Sequence, residues 1–231
     1  MSDWRSFWDS SHSIYVNARH KDVHYREIAE QIAAFVPHDR ARVLDHGCGE
    51  ATHADIVAAK SAEVLLCDAA PSVRRAIAQR FAANPKIRTL APEEVDQLPP
   101  QSLDLIVANS LAQYLTPAEM DGVLATWRRL LATDGTLIVA DIIPPDVGPL
   151  SDVLALLRYA TKHGFLTGAL VGLARTATSR YGQIRKKLGV TRYTEAEFAA
   201  KLKAAGFSAE RLSRNLEHNP ARMTFRARPV H

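Results

Sequence analysis

The stretch ARVLDHGCGEATHADIVA, residues 41–58, decides the fold. Its apolar, β-branched start stops at an acid, then at two glycines separated by one residue, and a helical segment is expected over 52–60. A strand that turns into a helix in this way brings free backbone N–H groups to the strand's carboxyl end, where a polar or anionic ligand can sit. Gly47 permits the tight turn, and Gly49 removes a side chain so that backbone can touch the ligand.

Working outward, the runs RVLDH (42–46), EVLLC (63–67), KIRTL (86–90), LDLIVA (103–108) and TLIVADI (136–142) predict buried parallel strands. Helices are expected between them at 52–60, at 71–83 from Pro71, and at 117–132 from Thr116-Pro117 with a stop at Asp134-Gly135. Alternating strands and helices define an α/β protein with a Rossmann-like doubly wound sheet. A further helix at 195–205 closes at Gly206. SAERLSRN and RMTFRARP then read as two strands joined through His218-Asn219-Pro220, which gives seven strands and a C-terminal antiparallel hairpin. Ahead of the sheet, Ile28, Ile32, Phe35 and Val36 form one helical stripe, preceded by an aromatic arm of Trp4, Phe7, Trp8 and Tyr15. We read a single domain: an arm over 1–36, a ligand-binding core over 37–147, a helical cap insertion over 148–190, and a final helix and hairpin over 191–231.

The 231 residues are 47% hydrophobic and 23% charged, as in an ordinary soluble globular protein. No basic patch followed by an apolar run opens the chain, and the apolar window at 164–174 is too short to span a bilayer. Cys48 and Cys67 are too few for a disulfide framework, and a reducing cytoplasm is expected. The net charge of +4 is unevenly placed. Between Val153 and Thr194 there is no acid, while Arg158, Lys162, Arg175, Arg180, Arg185, Lys186, Lys187 and Arg192 fall inside it.

Asp68 lies at the end of the second strand, where a carboxylate can take both hydroxyls of a ribose. A dinucleotide fingerprint needs glycine where Thr52 stands, so the turn suits an adenosine-type cofactor better than a pyrophosphate. Here the sequence resembles the class I S-adenosylmethionine-dependent methyltransferases of small-molecule type. Their first motif matches Asp45-His46-Gly47-Cys48-Gly49-Glu50-Ala51 with Ala51 in place of the last glycine, their second-strand acid matches Asp68, and LDLIVANSLAQYL resembles their fourth strand with its loop. The resemblance is good over 40–145, weaker over 191–228 and absent over 148–190. It implies S-adenosylmethionine as cofactor, with Gly47, Cys48 and Gly49 at its methionine end and Asp45 near its amino group. By the same resemblance Asp68 holds the ribose, Ala69 packs on the adenine, Leu90 and Ala91 form the other adenine wall, and Asn109 and Ser110 line the floor. The arm, which folds over the cofactor in related enzymes, carries Arg19 towards it.

Methyl transfer from a sulfonium is an in-line displacement, so the protein mainly aligns the acceptor and no metal is required. His20 and His24 lie four apart on a helix without a third ligand nearby in sequence, and no metal is expected. A hydroxyl acceptor is helped by a general base, for which Tyr15 and His24 from the arm and Tyr114 after the fourth strand are candidates. Topology adds another: if SAERLSRN runs parallel to the sheet, the tip LEHNPA emerges at the carboxyl edge and brings Asn215, His218 and Asn219 there. The cap carries Leu150, Val153, Leu154 and Leu157 at helical spacing beside its cations. That pattern fits a small, lipophilic or anionic acceptor, peripheral contact with an anionic membrane, or a merely solvated face. Two rivals remain: a nucleic-acid methyltransferase, which Asn109-Ser110-Leu111-Ala112 disfavours because it is not the stretch used for flipped bases, and a non-catalytic cofactor- or lipid-binding module.

Overall fold

The computed structural model describes residues 4, 8, 9, 15–176 and 189–230. Phe7, Arg180, Arg185, Lys186 and Lys187 lie outside that set, as does the side chain of Arg175.

Seven strands form one sheet in the order β3-β2-β1-β4-β5-β7-β6. They are β1 (Arg42–His46), β2 (Glu63–Cys67), β3 (Ile87–Leu90), β4 (Leu103–Asn109), β5 (Leu131–Ile142), β6 (Phe207–Arg211) and β7 (Met223–Pro229). The strands β3, β2, β1, β4 and β5 pair in parallel, and β7 inserts antiparallel between β5 and β6. The central strands are buried on both faces, with Val43, Leu44, Leu105 and Ile106 wholly inaccessible. That burial explains why they read as continuous apolar runs without alternation.

Eight helices follow among the described residues: α1 (Ala18–Phe35), α2 (Ala54–Ala58), α3 (Pro71–Arg80), α4 (Pro92–Val95), α5 (Pro117–Leu130), α6 (Pro149–His163), α7 (Leu166–Thr176) and α8 (Glu195–Ala204). The starts of α5 and α8 are fixed by reciprocal caps, Thr116 with Glu119 and Thr194 with Glu197. Ile28 and Ile32 of α1 pack with Val57 and Ile77 on one sheet face, while Leu124, Trp127 and Phe198 pack on the other. The chain winds outward from β1 to β3 and returns to β4, so the carboxyl ends of β1 and β4 part at the switch point where open α/β sheets bind ligands.

Two expectations are corrected here. β5 begins at Leu131, directly after α5, and runs through Asp134-Gly135, because its early residues pair with β4 through Leu103 and Leu131. In the cap, Val153 and Leu156 turn towards the interior cavity, whereas Leu150 and Leu154 are exposed, so the stripe read from the sequence is split between two faces. The cap helix α7 lies close against the arm at Gly172, where an added Cβ would collide with a Val16 methyl.

Candidate active site

The turn after β1 is held by its own backbone. The N–H groups of Gly47 and Cys48 both donate to the carbonyl of Cys67, at 2.8 and 3.0 Å, which ties the end of β1 to the end of β2. Asp68 then accepts the N–H of Gly49 at 3.0 Å and that of Ala70 at 2.8 Å. Burial pushes the Asp68 carboxyl up, and these two N–H bonds oppose the rise. Gly47 and Gly49 have φ of +82° and +55°. At Gly49 space is also short, since a Cβ there would sit 2.7 Å from the hydroxyl of Tyr25. That hydroxyl accepts the N–H of Glu50 at 2.9 Å, so α1 is latched to the turn through a residue the sequence reading did not single out.

Asp45 faces a small cavity of about 40 Å³ that it shares with Gly47, Cys48, Asn109 and His24. Burial, reinforced by the nearby Asp68, pushes its carboxyl up to about 7. On the opposite face of β1, Trp127 donates its indole N–H to Nδ1 of His46 at 3.0 Å, and burial lowers that imidazole to about 4.

A second cavity of about 920 Å³ opens over the carboxyl edge. Gly47, Cys48, Gly49, Asp68, Ala69, Asn109 and Ser110 line one end of it, and Tyr15, His24, Tyr114 and His218 line it as well. The sequence-predicted residues are brought to this cavity with five exceptions: Asp45 opens into the small cavity instead, Asn215 is engaged with Asp141, and three others turn elsewhere. Arg19 is exposed and donates to the carbonyl of His163 at 2.6 Å, closing the end of α6, because the arm turns this side chain towards the cap. Leu90 points into the core, and Ala91 gives its N–H to Glu94 at the start of α4; the cavity wall after β3 is formed by Pro92, Glu93 and Asp96.

The far wall is the β6–β7 hairpin tip, anchored to β5. Asp141, at a φ of +64°, accepts from Ser110 at 2.7 Å and from Asn215, while Arg222 bridges Asp141 to Asp152 of the cap. Burial raises the Asp141 carboxyl against the pull of Arg222, and the two carboxylates outweigh burial in holding Arg222 more firmly protonated. This anchor sets Glu217 and His218 at the cavity. Glu217 accepts from the Asn109 amide at 2.8 Å, and its other oxygen lies 3.4 Å from Nδ1 of His24 and 3.5 Å from Nδ1 of His218. Burial opposes the charge of Glu217, but the two imidazoles and Asn109 hold the carboxyl well below its usual range. The His218 ring stacks on Tyr159 with centroids 5.0 Å apart. His20 lies beside both histidines, and burial lowers it to about 4.

The sequence reading missed Tyr25, Glu217, Asp141 and Arg222. Glu217 was within reach of it, since it stands in the tip LEHNPA already placed at this edge. Among the described residues lining the cavity, seven carboxylates (Asp68, Glu93, Asp96, Glu119, Asp141, Asp152 and Glu217) face one guanidinium, that of Arg222, which is already doubly paired.

The sheet order, the antiparallel β7 and the glycine turn beneath a cavity define a class I S-adenosylmethionine-dependent methyltransferase fold. Residues 44–137 match the family described as Methyltransferase domain. A malonyl-[acyl-carrier protein] O-methyltransferase of Laribacter hongkongensis is 33% identical over 151 residues, 59% of this chain and 50% of that protein, so the chain spans about half the length of this relative. The structure described as a DhpI-SAH complex superimposes with a TM-score of 0.61 over 98% of this chain and 95% of that one at 14% identity. The N-methyltransferase NodS from Bradyrhizobium japonicum WM9, in complex with S-adenosylhomocysteine, gives 0.57 over 93% and 89% at 15% identity. No described helix is long and apolar enough to cross a membrane.

Proposed function

We propose that this protein transfers a methyl group from S-adenosylmethionine to a small molecule bound in the 920 Å³ cavity. The observation that carries the reading is one continuous wall that runs from Gly47, Gly49 and Asp68 to His24, Glu217 and His218. The cofactor's methionine end lies on the glycine turn with its ammonium towards Asp45, and Asp68 takes the ribose. Ala69, Pro92 and Glu93 enclose the adenine, and Asn109 and Ser110 form the floor. The acceptor's nucleophilic atom meets the His24–Glu217–His218 cluster, which orients it and helps it shed a proton, with Tyr15 and Tyr114 flanking.

The acidic lining supports a neutral or cationic acceptor with an apolar body. An anionic acceptor would meet a lining in which carboxylates outnumber cations, and a nucleic acid would bring a run of phosphates against it. Peripheral contact with an anionic membrane is a separate reading, supported by Leu150, Leu154, Leu166 and Leu170, which are exposed on the cap helices that also carry Arg158 and Lys162. The test of function is incubation with methyl-labelled cofactor and fractionated metabolite, lipid and RNA pools. Label is expected in a small neutral or cationic product and to fall with Asp68→Ala at limiting cofactor; label only in RNA, or none in any pool, refutes the reading.

A further inference from the structure

We infer that His24, Glu217 and His218 form a binding site for a divalent transition-metal ion, with Zn²⁺ the best fit, and that the ion's open position faces the methyl acceptor. The inference rests on the function proposed above and states how the cluster activates the acceptor. The sequence pairs His24 with His20 on one helix, but the fold pairs it with two residues of the hairpin tip. All three donor atoms lie within 4.8 Å of one another.

The spacing argues for an ion better than for hydrogen bonds. A tetrahedral ion with bonds of about 2.1 Å to nitrogen and oxygen has an N···O edge of about 3.4 Å. The observed separations from Glu217 Oε2 are 3.4 Å to His24 and 3.5 Å to His218, whereas a good N–H···O bond would bring them to about 2.9 Å. An octahedral Mg²⁺ at about 2.1 Å would need an edge near 3.0 Å, and two imidazoles with one carboxylate suit Zn²⁺ or its neighbours better than Mg²⁺ or Ca²⁺.

Two further observations point to a ligand. Nδ1 of His218 is closed from solvent and makes no hydrogen bond among the described residues, so a ring nitrogen stands at an unsatisfied position beside Glu217. Glu217 is 8% exposed and its second oxygen is held by the Asn109 amide, the kind of outer contact that fixes a ligating carboxylate. With three protein donors the fourth position stays open, as in catalytic zinc sites, and it looks into the cavity shared with the glycine turn. An acceptor oxygen or sulfur bound there would be polarised and would lose its proton more readily. The imidazoles then act as ligands and not as the general base expected from sequence.

The test uses the full chain, stripped with a chelator and titrated with Co²⁺ and then Zn²⁺. We expect one equivalent of Co²⁺ with the intense visible bands of a tetrahedral site, bleached by Zn²⁺. Near-isosteric Glu217→Gln and the truncations His24→Ala and His218→Ala should each weaken uptake by about 100-fold or more, and His20→Ala should retain it. S-adenosylhomocysteine binding, measured on the same stripped samples, reports the fold and the cofactor site independently. Cofactor binding without stoichiometric Co²⁺, or uptake that survives Glu217→Gln, overturns the metal site and leaves the methyltransferase reading standing. Loss of cofactor binding in the wild type would count against that reading instead.

Discussion

Replacing Asp45 by Asn should stabilise the cofactor-free protein at pH 8 and do little at pH 4. Asp45 is held at about 7 by burial and by Asp68, against an ordinary value of 3.8. A raised carboxyl means that the folded state keeps its proton while the unfolded state has lost it. The contribution of Asp45 to stability is therefore greatest below about pH 4, falls as pH rises towards 7, and is flat above. About three units at 1.36 kcal/mol each give about 4 kcal/mol as an upper bound, because water in the adjoining 40 Å³ cavity can relax around the charge. Asparagine keeps the shape without the ionisation. The variant should match the wild type near pH 4 and exceed it progressively to pH 8, read as the difference between their urea-unfolding free energies at each pH. On the function proposed above the cofactor reverses the order: an ammonium placed beside Asp45 would stabilise the carboxylate, so Asp45→Asn should weaken S-adenosylhomocysteine binding by about 1.5–3 kcal/mol. A stability difference that does not change with pH refutes the reasoning, as does a variant that binds the cofactor as tightly as the wild type.

Gly49→Ala should destabilise the turn by at least about 1 kcal/mol through its positive φ and by more through contact with the Tyr25 hydroxyl, and Tyr25→Phe should restore part of the loss in thermal melts. If Tyr25→Phe relieves nothing, the close approach is not the cause. Arg222→Met leaves Asp141 and Asp152 without their shared cation and should cost about 3–5 kcal/mol, whereas the same change with Asp141→Asn should cost less; additive losses would rule out the coupling. His46, held at about 4, costs stability as pH falls from 6.5 towards 4, up to about 3 kcal/mol, so His46→Gln should flatten the acid limb of the stability curve. Leu150→Glu with Leu154→Glu should abolish sedimentation with anionic vesicles if the cap touches membrane, and sedimentation unaffected by the pair would exclude those residues from the contact.

The bounds of β1 and β2 were legible because strands buried on both faces carry unbroken apolar runs, and the glycines mark the turn that ends the first. The hairpin tip was legible from handedness alone, since β6 runs parallel to β5 and its connection to β7 emerges where the other strands end. The start of β5 was not, because Asp134-Gly135 reads as a stop and only pairing with β4 extends the strand through it. Arg19 misled for a similar reason: a cation on the arm faces either ligand or cap, and a carbonyl left free at the end of α6 decided it. Tyr25 and Glu217 act through partners 25 and 108 residues away, Glu50 and Asn109, which no local pattern encodes. Leu90 and Ala91 were placed by position in a family pattern, but α4 starts immediately after them and carries Pro92 and Glu93 to the wall instead.

Calorimetric titration of the protein with S-adenosylhomocysteine tests the central claim most directly. The cavity that joins the glycine turn to Asp68 should bind one molecule per chain, and Asp68→Ala should weaken that binding by about 10-fold to 150-fold through loss of a charged acceptor for the ribose hydroxyls. An absence of binding, or equal affinity in Asp68→Ala, would contradict the account.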